Sequence, residues 1–88
     1  MKQRIHDAQA KSLAEGYVAK NIPPPRGDSL VVPDEFTETV EDGWFFYYQS
    51  RRYLDTKDYQ FFLVGTCPIF VSIDGSIVEL RDPLRESR

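Results

Sequence analysis

Six carboxylates lie between positions 28 and 42 (Asp28, Asp34, Glu35, Glu38, Glu41 and Asp42), with no Lys or Arg among them. General acid–base catalysis needs two carboxyls in different environments, one kept protonated while the other ionises. This run offers no such differentiation and reads as a solvated acidic strand and turn. Cys67 is the only cysteine, so it forms no internal disulfide and supports no cysteine-based metal cluster. A nucleophilic cysteine needs a base or a cationic surround, and its neighbours Thr66 and Pro68 supply neither. Cys67 therefore reads as a small buried residue at a strand entrance. His6 is the only histidine, far from Cys67 in the chain. With no Gly-rich phosphate loop, Walker-type lysine or Ser/His/Asp set, the sequence assigns no catalytic residue, no cofactor and no metal ligand, and the enzyme class falls behind the binding classes.

A second candidate for chemistry is GWFFYYQSRRY, residues 43–53, in which six aromatics crowd positions 44–53 and Arg51 and Arg52 adjoin them. Aromatic strands followed by arginines can stack bases and hold phosphates. Here the acidic strand lies beside them through Asp42-Gly43, which repels an anionic ligand and offers Glu38 or Glu41 as pairing partners for the arginines. With a net charge of −3, no nucleic-acid partner is expected. The tripeptide Arg26-Gly27-Asp28 matches an adhesion motif, but three residues match by chance too often to carry weight. No apolar run approaches the roughly 20 residues of a membrane span, and MKQRIHDAQAK lacks a secretory apolar segment, so the expected location is cytoplasmic, with no membrane partner.

The elements that must position these residues follow from periodicity and turn chemistry. Ile5, Ala8, Leu13 and Tyr17 recur at near-helical spacing, predicting an amphipathic helix over about 4–20. IPPPRGD then reads as a stiff linker, because Pro24 and Pro25 lack amide donors and hold their predecessors extended. Leu30–Val32 forms a short edge segment limited by Pro33, and a strand begins in FTETVE, residues 36–41. Asp42-Gly43 and Asp74-Gly75 suit two-residue type I′ hairpin turns. Along the second strand Trp44, Phe46 and Tyr48 face one way, while Phe45, Tyr47 and Gln49 face the other. One aromatic face packs on the N-terminal helix; the other needs a second cover or a partner. Tyr59, Phe62 and Leu63 predict a short helix over about 57–64, capped by Asp55 or Thr56 and stopped by Gly65.

The resulting expectation is an α+β fold: an N-terminal helix packed on a four-stranded, mainly antiparallel sheet of two hairpins, with a short helix between them. At 88 residues this is one domain, with a helix in 1–22, a Pro-rich linker in 23–29, the sheet with its inserted helix in 30–82 and a tail in 83–88.

Gly43, Trp44, Phe46, Tyr48, Ser50, Tyr53, Leu54, Asp55 and Thr56, followed by Gly65, Pro68, Ile69, Val71, Asp74 and Gly75, make a pattern that resembles immunity protein family thirty-five, a family of small bacterial toxin-immunity domains. Thr66 and Cys67 replace the Asn and second Gly of the family's usual strand entrance, and Lys57 stands where the family often has Gly. The likeness covers about residues 36–84, and the family typically continues past Pro83 and Leu84 into a short C-terminal helix, where this chain has DPLRESR. The resemblance implies an antitoxin-like, non-enzymatic protein of the bacterial cytoplasm whose partner is a cognate protein toxin, bound and occluded. Asp34, Glu35, Glu38, Glu41 and Asp42 are the charged part of the expected interface, with Tyr47, Arg51, Arg52 and Tyr53 beside them. The rival reading is a small oligomeric accessory or chaperone-like module, in which the second aromatic face binds a further copy of the chain or unfolded clients.

Overall fold

The computed structural model describes residues 3–64 and 66–82. Its first helix, α1, spans Asp7–Asn21. The backbone N–H of His6 donates to Gln9 Oε1 at 3.0 Å, satisfying the entry to the helix, while Asp7 and Lys20 complement the dipole at its two ends. The face it buries is Ala10, Ala14 and Val18, at spacings of four. Ile5 and Tyr17 pack against the buried core as periodicity predicts, whereas Ala8 is exposed and Leu13 nearly half exposed, so the packed stripe is partly offset from the predicted one. Small side chains explain the offset: alanines let the helix axis approach the sheet and leave the volume to the rings beneath it.

Those rings stand on an antiparallel sheet of four strands, β2 (Glu38–Val40), β3 (Gly43–Phe46), β5 (Ile69–Ser72) and β6 (Val78–Leu80), in the order β2-β3-β5-β6. Two hairpins lie side by side, as their turn signals predict, and the fold is α+β. Trp44, Phe46 and Tyr48 form one buried face with Ile69 and Val71 under α1, as strand alternation requires.

The chain also holds a second, two-stranded sheet. β1 (Leu30–Val31) pairs antiparallel with β4 (Gln49–Ser50), with Leu30 opposite Ser50 and Val31 opposite Gln49. The aromatic run is thus not one strand. It leaves the main sheet after Phe46 and enters the small one at Gln49.

The other aromatic face is covered as well. Glu38 stands opposite Phe45, Phe45 opposite Phe70, and Phe70 opposite Glu79, a row crossing all four strands. The Phe45 and Phe70 rings lie 5.3 Å apart, and the Arg81 guanidinium sits 4.0 Å from the Phe70 ring centre while donating to Glu79. Both rings are buried.

Three local expectations are corrected. Neither hairpin uses a two-residue Asp-Gly turn: Val40 pairs with Gly43, so the first loop is Glu41-Asp42, and positive φ occurs there only at Gly43, the first residue of β3. A Cβ at Gly43 would lie 2.0 Å from the Val71 carbonyl oxygen, so glycine is needed for the approach of β3 to β5. In the second hairpin Gly75 N–H donates to the Ser72 carbonyl at 2.8 Å and Ser72 N–H to the Ile77 carbonyl at 3.0 Å, a longer loop with Gly75 at φ 78°.

The helix predicted over 57–64 is replaced by α2, Arg51–Thr56, and a single 3-10 turn, Tyr59–Phe61. Ser50 caps α2 by accepting the Tyr53 N–H at 3.2 Å, and Lys57, left-handed at φ 60°, ends it. The predicted stop at Gly65 and the tail 83–88 fall outside the described residues.

Candidate functional site

The Pro-rich segment is anchored by one carboxylate. Ser50 is fully buried, and its hydroxyl donates to Asp28. The same carboxylate accepts the backbone N–H of Ser29 at 2.7 Å and that of Arg52 at 3.2 Å. These bonds, the Ser50 hydroxyl foremost, hold the Asp28 carboxyl below its ordinary pKa. Asp28 is thereby a structural residue, and the adhesion-like tripeptide has an internal use.

The remaining acids follow one another along the chain into and past β2. Asp34 and Glu35 lie in a 3-10 turn, Asp34–Phe36; Glu38 is on β2; Glu41 and Asp42 make the hairpin loop. All five are exposed. Since β2 is an edge strand, its one acid, Glu38, also discourages pairing with a foreign edge. Asp34 is already engaged, accepting a 2.7 Å hydrogen bond from Lys11 Nζ.

Arg51, Arg52 and Tyr53 lie apart from those acids, on α2. The Arg52 guanidinium lies 5.2 Å from the Phe61 ring centre, and Arg51 lines a cleft of about 590 Å³ between α1 and β1. Among the described residues, neither arginine forms an ion pair with Glu38 or Glu41. The expected pairing fails because the strand bends away after Phe46, carrying the arginines onto a capped helix.

Between these two groups is a cleft of about 500 Å³. Its floor is Tyr47, Tyr48 and Gln49, where the chain passes from β3 to β4; its walls are Phe36 on one side and Phe62, Leu63 and Val64 on the other. Three wall residues are large, apolar and solvent-facing: Phe36 is 43% exposed, Phe62 38% and Val64 76%. Such exposure in one place marks a surface for a partner more often than scattered apolar residues do. Tyr53 joins this surface from α2, its ring 4.9 Å from Phe62 in an edge contact and 5.6 Å from Tyr59.

Gln49 holds the second wall in place. Its side-chain Oε1 accepts the Leu63 N–H at 2.8 Å, and its Nε2 donates to the Leu63 carbonyl at 3.4 Å. A buried side-chain amide thus pairs with residue 63 as a neighbouring strand would, fixing the segment that presents Phe62 and Val64. At the floor, burial first and then the negative charges of Glu38 and Asp82 keep the Tyr47 phenol above its ordinary pKa.

Sequence reasoning assigns Tyr47 and Tyr53 to this region but misses Phe36, Gln49, Phe62 and Val64. The available signal is Phe36, a lone large apolar residue inside an acidic run; the spacing of Phe62 places it on a helix face that does not form.

Among the described residues no group of three or more His, Cys, Asp or Glu is placed to hold a metal ion, and no helix is long and apolar enough to cross a membrane.

The fold and this surface define a helix-on-sheet α+β domain with an acid-bordered apolar face. The chain belongs to the immunity protein family Immunity protein 35, whose model matches residues 6–85. Comparison with curated proteins and with solved structures gave no match.

Proposed function

We propose that this protein is a cytoplasmic, non-enzymatic antitoxin that binds a cognate bacterial toxin and occludes it. Membership of the immunity family supports the toxin as partner. The observation that carries the mode of action is the set of exposed acids Asp34, Glu35, Glu38, Glu41 and Asp42 on the 3-10 turn, the edge strand β2 and its loop, with the solvent-facing Phe36 in the same turn as Asp34 and Glu35. Complementary charge speeds encounter and penalises wrong partners, while an apolar centre supplies most of the affinity. In this reading the acids steer a basic toxin surface, Tyr47 and Tyr53 contribute ring area beside the cleft, and Arg51 and Arg52 form the far rim.

The test is capture of the stoichiometric partner of the tagged protein from its native cells, followed by association kinetics for wild type and Glu38→Lys/Glu41→Lys. The reading requires one toxin-like partner, slower association of the double variant by about tenfold or more at low salt, and convergence of the two rates as salt screens the charges. Recovery of unfolded clients in its place favours a chaperone-like module.

A further inference from the structure

We propose that the cleft between Phe36 and Phe62–Val64 is the seat for an apolar segment of a partner polypeptide that carries lysine or arginine beside its apolar anchor. The inference rests on the immunity reading for the partner's identity, and on the lining and border of the cleft for its chemistry.

Shape and polarity support an apolar anchor. The cleft holds about 500 Å³, enough for one or two large side chains, and among the described residues no charged one lines it. Gln49, the buried polar group of the floor, has its amide oxygen engaged by Ser50 N–H and Leu63 N–H and its amide nitrogen by the Leu63 carbonyl. The other polar groups of the lining are the hydroxyls of Tyr47, Tyr48 and Thr66, beside the apolar side chains of Phe36, Phe62, Leu63 and Val64. The walls are also pre-set: Leu63 is held by the Gln49 amide and Phe62 by the Tyr53 ring. Pre-organisation of this kind reduces the ordering cost of binding.

Charge supports the basic flank. Glu35 adjoins Phe36 in the same 3-10 turn, and Glu38 and Asp82 act on the Tyr47 hydroxyl at the floor. Of the cations of α2 and its end, Arg52 lies over Phe61 and Lys57 has its Nζ 5.7 Å from the Tyr53 ring centre, while Arg51 lines the other cleft, between α1 and β1. An acidic segment would meet Glu35 and Glu38 at the Phe36 wall, whereas a basic one would complement them.

The probe is a synthetic peptide of Leu, Phe and Lys, beside a counterpart with Glu at every Lys position, titrated into the full-length protein and followed by NMR. The proposal expects the Lys peptide to shift the resonances of Phe36, Tyr47, Phe62 and Val64, and to bind about tenfold or more tightly than the Glu peptide. It also expects Val64→Lys, at an exposed position, and Phe36→Ser to weaken the Lys peptide by about tenfold each. No binding, equal binding of the two peptides, or shifts centred elsewhere would overturn it. So would sedimentation showing a dimer that Val64→Lys dissolves, since the occupant would then be a second copy. The toxin arm separates the two readings. If Val64→Lys captures the toxin as tightly as wild type, the cleft is not the seat and immunity stands. If wild type captures no toxin while the Lys peptide binds as described, the cleft stands and the immunity reading falls.

Discussion

The Ser50 hydroxyl donates to the Asp28 carboxylate and accepts the backbone N–H of Tyr53, so one buried side chain joins the Pro-rich segment to the start of α2. Replacing it disturbs two contacts at once. Ser50→Ala is expected to cost about 1–3 kcal/mol, combining loss of a helix cap with loss of a bond to a charged group. Urea denaturation measures this, and a cost indistinguishable from zero would remove Ser50 from its role.

The same pair sets a pH dependence. Because the folded state depresses the Asp28 pKa below its ordinary 3.8, the unfolded chain binds the proton more readily in that range. The contribution is therefore fully present above the unfolded pKa and is lost as pH falls through the folded one. In Ser50→Ala the dependence contributed by this group is expected to shrink, read as a shallower fall of Tm with acidification below about pH 4. An unchanged acid limb would show that other carboxylates carry it.

Two glycines give opposite expectations. Gly43→Ala places a methyl group 2.0 Å from the Val71 carbonyl oxygen, forcing β3 and β5 apart, and is expected to cost about 3 kcal/mol or more. Gly16 lies on the exposed side of α1, where an added Cβ would meet nothing within 4 Å, so Gly16→Ala is expected to stabilise by about 0.5–1 kcal/mol. Thermal unfolding of the two variants checks both signs.

The Gln49 amide predicts a local effect larger than its global one. Gln49→Leu leaves the Leu63 N–H without its partner, so hydrogen exchange at Leu63 should accelerate well beyond that of the core strands, with a global cost of about 1–3 kcal/mol. Uniform acceleration at all amides would instead mean that Gln49 supports the fold as a whole.

Core and surface aromatics should separate cleanly. Phe70 is buried between Phe45 and Arg81, and Phe70→Ala is expected to cost about 3–5 kcal/mol. Val64→Ser, at an exposed position, should change stability by no more than about 0.5 kcal/mol. Denaturation of both variants decides whether the cleft wall is retained for folding or for contact.

What the sequence by itself determined was the part of the fold governed by short-range rules. Alternation along a strand put Trp44, Phe46 and Tyr48 on one face, and two Asp-Gly signals separated four strands into two hairpins, even though neither connection is a two-residue Asp-Gly turn. The family followed from the Gly-Trp, aromatic and Ser-x-x-Tyr-Leu pattern, which is read directly from residue types and spacing. Tertiary structure decided which of the remaining residues meet. Nothing local shows that the chain leaves the main sheet after Phe46, that Ser50 rather than Asp55 or Thr56 caps the middle helix, or that Asp28 reaches Ser50 from the Pro-rich segment. The cleft is a product of such long-range meetings, with Phe36 from the acidic run in one lining with Phe62 and Val64. A side chain's exposure is set by what the rest of the chain lays over it, and for Phe45 against Phe62, both aromatic and both in apolar runs, periodicity carries no information about that cover.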